Sequence, residues 1–182
     1  MPQTPVEKSD ASKRGLQSRR RGIEVEKKVI EFLWPDAPRD EFGSIRDHRE
    51  LHDKFVLTNE AHLLALDLME DEEITLSEAT HRMLRSDSDS REEPLGYLLE
   101  IKGDAWVGGT RAMLSKLLNA LRQARTNREK AGFVFTPVCA VWLPKHTKWV
   151  GDALVMLDTG NEAVDYNPII SADTFRHIYL GR

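Results

Sequence analysis

Apolar positions along the chain recur with two different periods. From about Gln17 to Leu33, the residues Ile23, Val25, Val29, Ile30, Phe32 and Leu33 gather on one side of a helical repeat, and Pro35 ends the run. Phe55, Val56 and Leu57 read instead as a short strand. Two brief helical patterns follow, Ala61 to Met69 and Ser77 to Leu84, the second opened by Thr75 or Ser77 ahead of Glu78. The polar, acidic run that ends at Pro94 reads as a loop, so residues 58–94 are expected to be an insertion between two strands. Tyr97, Leu98, Leu99 and Ile101 predict the next strand. A long helix is expected from Arg111 to Ala131, because Met113, Leu114, Leu117, Leu118, Leu121 and Ala124 form a stripe and Gly132 is a natural stop. "TPVCAVWL" and "DALVMLD" are apolar strand patterns, and "SADTFRHIYL" is a closing helix with a Ser or Asp cap.

In order this gives helix, strand, strand, insertion, strand, helix, strand, strand, helix. The expected fold is α/β, with a central mixed sheet flanked by helices. Residues 1–15 show no periodic apolar pattern and are expected to form a flexible basic tail, which leaves 16–182 as one domain.

Composition narrows the class. With 182 residues, 40% of them hydrophobic and 31% charged, the chain suits one soluble globular domain with a real core. It contains no run of apolar residues as long as the ~18 that a membrane span needs, and the N-terminus lacks the apolar stretch of a secretory signal. Cys139 is alone, inside an apolar run, which rules out a disulfide scaffold or a cysteine metal site and points to a reducing, cytoplasmic setting. The net charge of −4 hides a local concentration of cations at Lys13, Arg14, Arg19, Arg20 and Arg21. "EDEE" and "DSDSREE" lie mid-chain.

One stretch carries chemistry. In "GYLLEIKGDAW", Glu100 and Lys102 stand at the end of an otherwise apolar strand, at i and i+2, and so project to the same side of the sheet. A second Glu-x-Lys, Glu26 to Lys28, falls on a helix, where i and i+2 diverge. Strand ends in α/β sheets are where sites are built. A carboxylate suits Mg²⁺, which polarises a phosphate and lowers the pKa of bound water. An ammonium beside it can orient the water or neutralise developing charge. Phosphodiester hydrolysis needs that pair, together with a second carboxylate from upstream.

These residues, with "RRRGIEVEKKVIEFL", "WPDAPR", "LLNALRQAR", "TPVCAVWLPKHTKWVGDALVML" and "DTFRHIYL" in the same order, resemble the PD-(D/E)xK nuclease superfamily, and within it the small Holliday-junction-resolvase-like proteins of phages and actinobacteria. The resemblance implies a restriction-endonuclease-like core and a DNA endonuclease that acts on branched DNA. It also implies a homodimer, because a junction takes two symmetric nicks. Glu26, an upstream acid, Glu100 and Lys102 would then surround one or two Mg²⁺ (or Mn²⁺) ions, and Gln123 would join them from the following helix. Asp53, Glu50 and Asp89 are the candidates for the upstream acid. Asp53 is favoured because it opens a strand, and metal ligands need a rigid element behind them. Arg19, Arg20 and Arg21 would grip DNA phosphates beside the site.

The rival class is a nuclease-fold protein that has lost cutting and binds DNA or protein. A further alternative is a nuclease acting on flaps or linear ends.

Overall fold

The computed structural model describes residues 5–39, 54–86, 93–103, 109–132, 136–144, 147–160 and 167–182. Helix α1, Pro5–Leu33, is the longest element, and it starts inside the segment expected to be a tail. The reason is local. Pro5 stands at the first helical position, where its missing N–H costs nothing, and the Glu, Lys, Ala, Leu, Gln and Arg residues that follow favour helix and outnumber the less favourable Ser, Asp, Val and Gly among them. The C-terminal part of α1 buries Val29, Ile30 and Leu33.

Strand β1 (Phe55–Leu57) is fully buried. Helices α2 (Asn59–Glu72) and α3 (Leu76–Ser86) then make an excursion before the chain returns as β2 (Gly96–Gly103). The start of α2 is capped by Thr58, whose hydroxyl accepts from the Ala61 N–H. A reciprocal box opens α3: Glu78 accepts from the Thr75 N–H at 3.0 Å, and the Glu78 N–H donates to Thr75 Oγ1 at 3.2 Å. Helix α4 (Thr110–Ala131) follows, then β3 (Val138–Leu143), a single 3₁₀ turn at Val150–Asp152, β4 (Leu154–Leu157), β5 (Ile169–Ser171) and α5 (Ala172–Tyr179).

The five strands form one mixed sheet in the order β1-β2-β3-β4-β5. Only β2 and β3 are parallel, Glu100 lying opposite Ala140 and Lys102 opposite Trp142, and α4 is the crossover that parallel neighbours require. The other pairings are antiparallel. Of the two strands expected before the insertion, the described residues show β1, and residues 40–53 lie outside them. Strand β5 is announced by no apolar run: its Ile169 and Ile170 sit at the margin of the sheet, and Ser171 at once becomes the cap of α5 by accepting from the Thr174 N–H.

Helices cover both faces. Gly103 lies against α1, where a Cβ would come within 2.9 Å of Val25 Cγ2. Lys102, its neighbour, points the other way and meets α4. Leu117, Ala120, Leu121 and Ala124 of α4 are buried, and the small residues among them let that helix lie close to β2 and β3. Cys139 is a fully buried core thiol, its pKa pushed well up by burial and by nearby Asp158. Among the described residues no helix is long and apolar enough to cross a membrane.

Candidate functional site

Glu100 is 2% exposed, although the residues on either side of it are apolar core. An ionised carboxylate at that depth needs partners, because burial without them costs several kcal/mol. Three side chains supply them. Lys102 Nζ donates to Glu100 Oε1 at 2.6 Å, as the shared side of the strand requires. Asn127 Nδ2 donates to Oε2 at 3.3 Å from α4. Lys54 Nζ lies 3.6 Å from the same Oε2.

Each partner is held in turn. Lys102 also donates to Gln123 Oε1 at 3.0 Å. Gln123 and Asn127 are four residues apart on α4 and therefore share one helical face, which lies over the end of β2. The Lys54 carbonyl accepts from the Leu99 N–H at 3.0 Å, so the residue that leads into β1 is tied to β2 beside Glu100. From there its ammonium reaches Glu26 Oε1 of α1 at 3.0 Å. The side chains of Lys54 and Glu26 are half-buried.

The structure thus brings Glu26, Glu100, Lys102 and Gln123 into one connected cluster drawn from α1, β2 and α4. Asp53, Glu50 and Asp89 lie outside the described residues. Arg19, Arg20 and Arg21 are exposed on α1. Arg19 is seven residues, two full turns, ahead of Glu26 and so shares its side of the helix, about 10 Å along the axis. Arg20 and Arg21 point elsewhere around it. Of the tryptophans, Trp142 is buried, and Trp149 is exposed with its ring edge against Phe32.

Two members of the cluster were not legible in the sequence. Asn127 carries a weak signal, since it sits one turn beyond Gln123. Lys54 carries none, because a lysine at the lip of a short strand resembles any surface lysine.

The donor chemistry suits a hard divalent cation. Glu26 and Glu100 offer carboxylate oxygens, and Mg²⁺ is commonly bound through one or two of these together with waters and phosphate oxygens. A positive group, the Lys54 ammonium, already lies between the two. Among the described residues there is no group of three or more His, Cys, Asp or Glu that could hold a metal ion. No family model matches the chain, and neither a curated protein nor a solved structure matches it.

Proposed function

We propose that the chain is a Mg²⁺- or Mn²⁺-dependent endonuclease with a restriction-endonuclease-like core, which hydrolyses phosphodiester bonds in branched DNA as a homodimer. The observation that carries this reading is the buried Glu100 carboxylate, paired with Lys102 at the end of a strand and facing Glu26 across Lys54. Stability by itself is a weak reason for such a group, since apolar residues of similar volume often serve as well as a buried ion pair.

Glu26 and Glu100 are the metal ligands in this reading, with Asp53 as the upstream acid. The ion, when bound, polarises the phosphate and lowers the pKa of a coordinated water. Lys102 stands beside Glu100, where its ammonium can orient that water or offset charge on the phosphate. Gln123 holds Lys102 in place, and Asn127 orients Glu100. Arg19, on the Glu26 side of α1, contacts a neighbouring phosphate, with Arg20 and Arg21 adding to the local positive field.

A panel of four-way junction, flap, nicked and linear DNA, incubated with Mg²⁺ or Mn²⁺ and with chelator, tests this. Metal-dependent nicking of the junction, lost in Glu100→Gln and in Lys102→Met, is the expected result. No cleavage of any substrate with either metal overturns it.

A second reading, a non-cutting DNA- or protein-binding module, is favoured by one observation: the two described carboxylates already share a lysine counter-charge. Junction binding that is unchanged by Glu100→Gln, without cleavage, would support it.

A further inference from the structure

Lys54 has no part in the division of labour above, yet among the described residues it links Glu26 of α1 to Glu100 of β2. Its ammonium lies 3.0 Å from Glu26 Oε1 and 3.6 Å from Glu100 Oε2. Its backbone is fixed by the Leu99 N–H. The side chain is 25% exposed, so the flexible stem has room to move while the backbone stays in register.

Two carboxylates close enough to share an ammonium repel one another when nothing lies between them, and more strongly in a partly buried place than in water. A cation between them, or a proton on one of them, relieves the repulsion. A lysine ammonium is a compact point charge on a mobile stem, and here it lies within reach of both carboxylates.

We infer that Lys54 is a built-in counter-cation, which holds Glu26 and Glu100 together in the metal-free protein and is displaced when a divalent metal binds them. The inference rests on the metal-site reading proposed above and adds a competition to it. Metal must break two ion pairs before it gains two ligands, so the affinity of the site is set below what its carboxylates alone would give. The same lysine keeps the cluster assembled without metal. Removing its charge should therefore strengthen metal binding and weaken the metal-free fold, two effects of opposite sign from one substitution. A lysine that merely braces the structure would produce only the second.

The experiment uses the full chain, with Mn²⁺ and Mg²⁺ as the only ligands. Binding is read by titration calorimetry, and thermal unfolding is followed in chelator and in saturating metal. Lys54→Met keeps the stem and removes the charge, and Lys54→Arg keeps the charge. The expected result is Mn²⁺ binding about tenfold tighter in Lys54→Met than in the parent, because metal no longer displaces an ammonium held by two carboxylates. Its melting temperature should be lower than the parent's in chelator and should rise further than the parent's on adding metal. Lys54→Arg should match the parent in affinity. Should Lys54→Met be unfolded in chelator, recovery of a cooperative transition in Mn²⁺ is the supporting outcome and its absence the opposing one.

If the parent binds Mn²⁺, Glu100→Gln abolishes that binding, and Lys54→Met binds no more tightly, then the counter-cation is wrong while the metal site stands. If neither the parent nor Lys54→Met binds metal, both fall together.

Discussion

Lys102 Nζ lies between Glu100 Oε1 and Gln123 Oε1, at 2.6 and 3.0 Å, so the amine next to the buried acid is aimed by a helix that arrives after it in the chain. In the proposed endonuclease Gln123 would be a positioning residue, and its removal should differ from removal of Lys102. Gln123→Ala is expected to lower metal-dependent cleavage about tenfold and Lys102→Met by about 100-fold or more, within the range for loss of an electrostatic group at a reacting centre. Single-turnover cleavage at saturating metal separates the two. Equal losses would mean that Gln123 does more than aim the lysine.

Gly103 follows directly and faces the opposite side, towards Val25 of α1. A methyl group there would stand 2.9 Å from Val25 Cγ2. Gly103→Ala should destabilise the protein by about 1–3 kcal/mol, the usual cost of overpacking. Val25→Ala in the same chain should return most of that loss. Denaturant titration of the two single variants and the double variant gives the coupling, and simple additivity would show that α1 does not approach β2 as closely as described.

Asp158 directly follows β4 and is clamped by Arg125 of α4 through two parallel contacts, Nε to Oδ2 at 2.7 Å and Nη2 to Oδ1 at 2.6 Å. Burial alone would raise the pKa of this carboxyl. The Arg125 hydrogen bonds, the Gly160 N–H and the charges of Arg125 and Arg128 outweigh burial and hold it below its ordinary 3.8. A folded-state pKa below the unfolded one gives stability that is complete above about pH 4 and lost as pH falls through the folded value. Asp158→Asn should cost about 3 kcal/mol at neutral pH, because it takes the carboxylate charge away from the partly buried Arg125 guanidinium. It should also flatten the acid limb of the stability curve. Urea melts from pH 2.5 to 7 provide the check.

His62 of α2 is buried with its ring edge against Trp34, and its Nδ1 lies 3.3 Å from Asp36 Oδ2. Burial lowers its pKa, and Arg182 adds to the lowering, while the Asp36 charge and hydrogen bond act the other way without prevailing. The unfolded chain therefore takes up a proton near pH 6.5 that the folded chain resists. Stability is complete above that pH and declines as pH drops towards the folded value. Melting temperature should fall between pH 7.5 and 5 in the parent and by clearly less in His62→Gln. Parallel curves would assign the decline to other groups.

The elements with a clear apolar period could be read from the sequence almost to the residue. Phe55–Leu57 and Val138 to Trp142 are buried as their patterns require, and the stripe on α4 buries Leu117, Leu121 and Ala124 while Leu114 stays exposed. Elements without that signal could not. The N-terminal half of α1 is a helix with no apolar period to announce it, and β5 exists because β4 offers it an edge, with Val155 opposite Ile170. The site divides on the same line. Glu100 and Lys102 stand out because charge interrupts an apolar strand, which is a local pattern. Lys54 and Asn127 matter only through who their neighbours are, and proximity between residues so far apart in the chain leaves no trace in the spacing.

The excursion between β1 and β2 looks from its length like an appendage, and its base is pinched shut, with Leu57 opposite Gly96 and the Thr58 N–H bonded to the Leu95 carbonyl. Clipping it there would leave the two strands zipped in register. It would also uncork the molecule, since α2 brings His62 against Trp34, just past the end of α1, where the Arg182 guanidinium also lies over the indole. A protein trimmed to the bare sheet and its two main helices would thus keep its hairpin and lose its lid on the tryptophan, and anyone shortening this chain should retain α2 and cut beyond it.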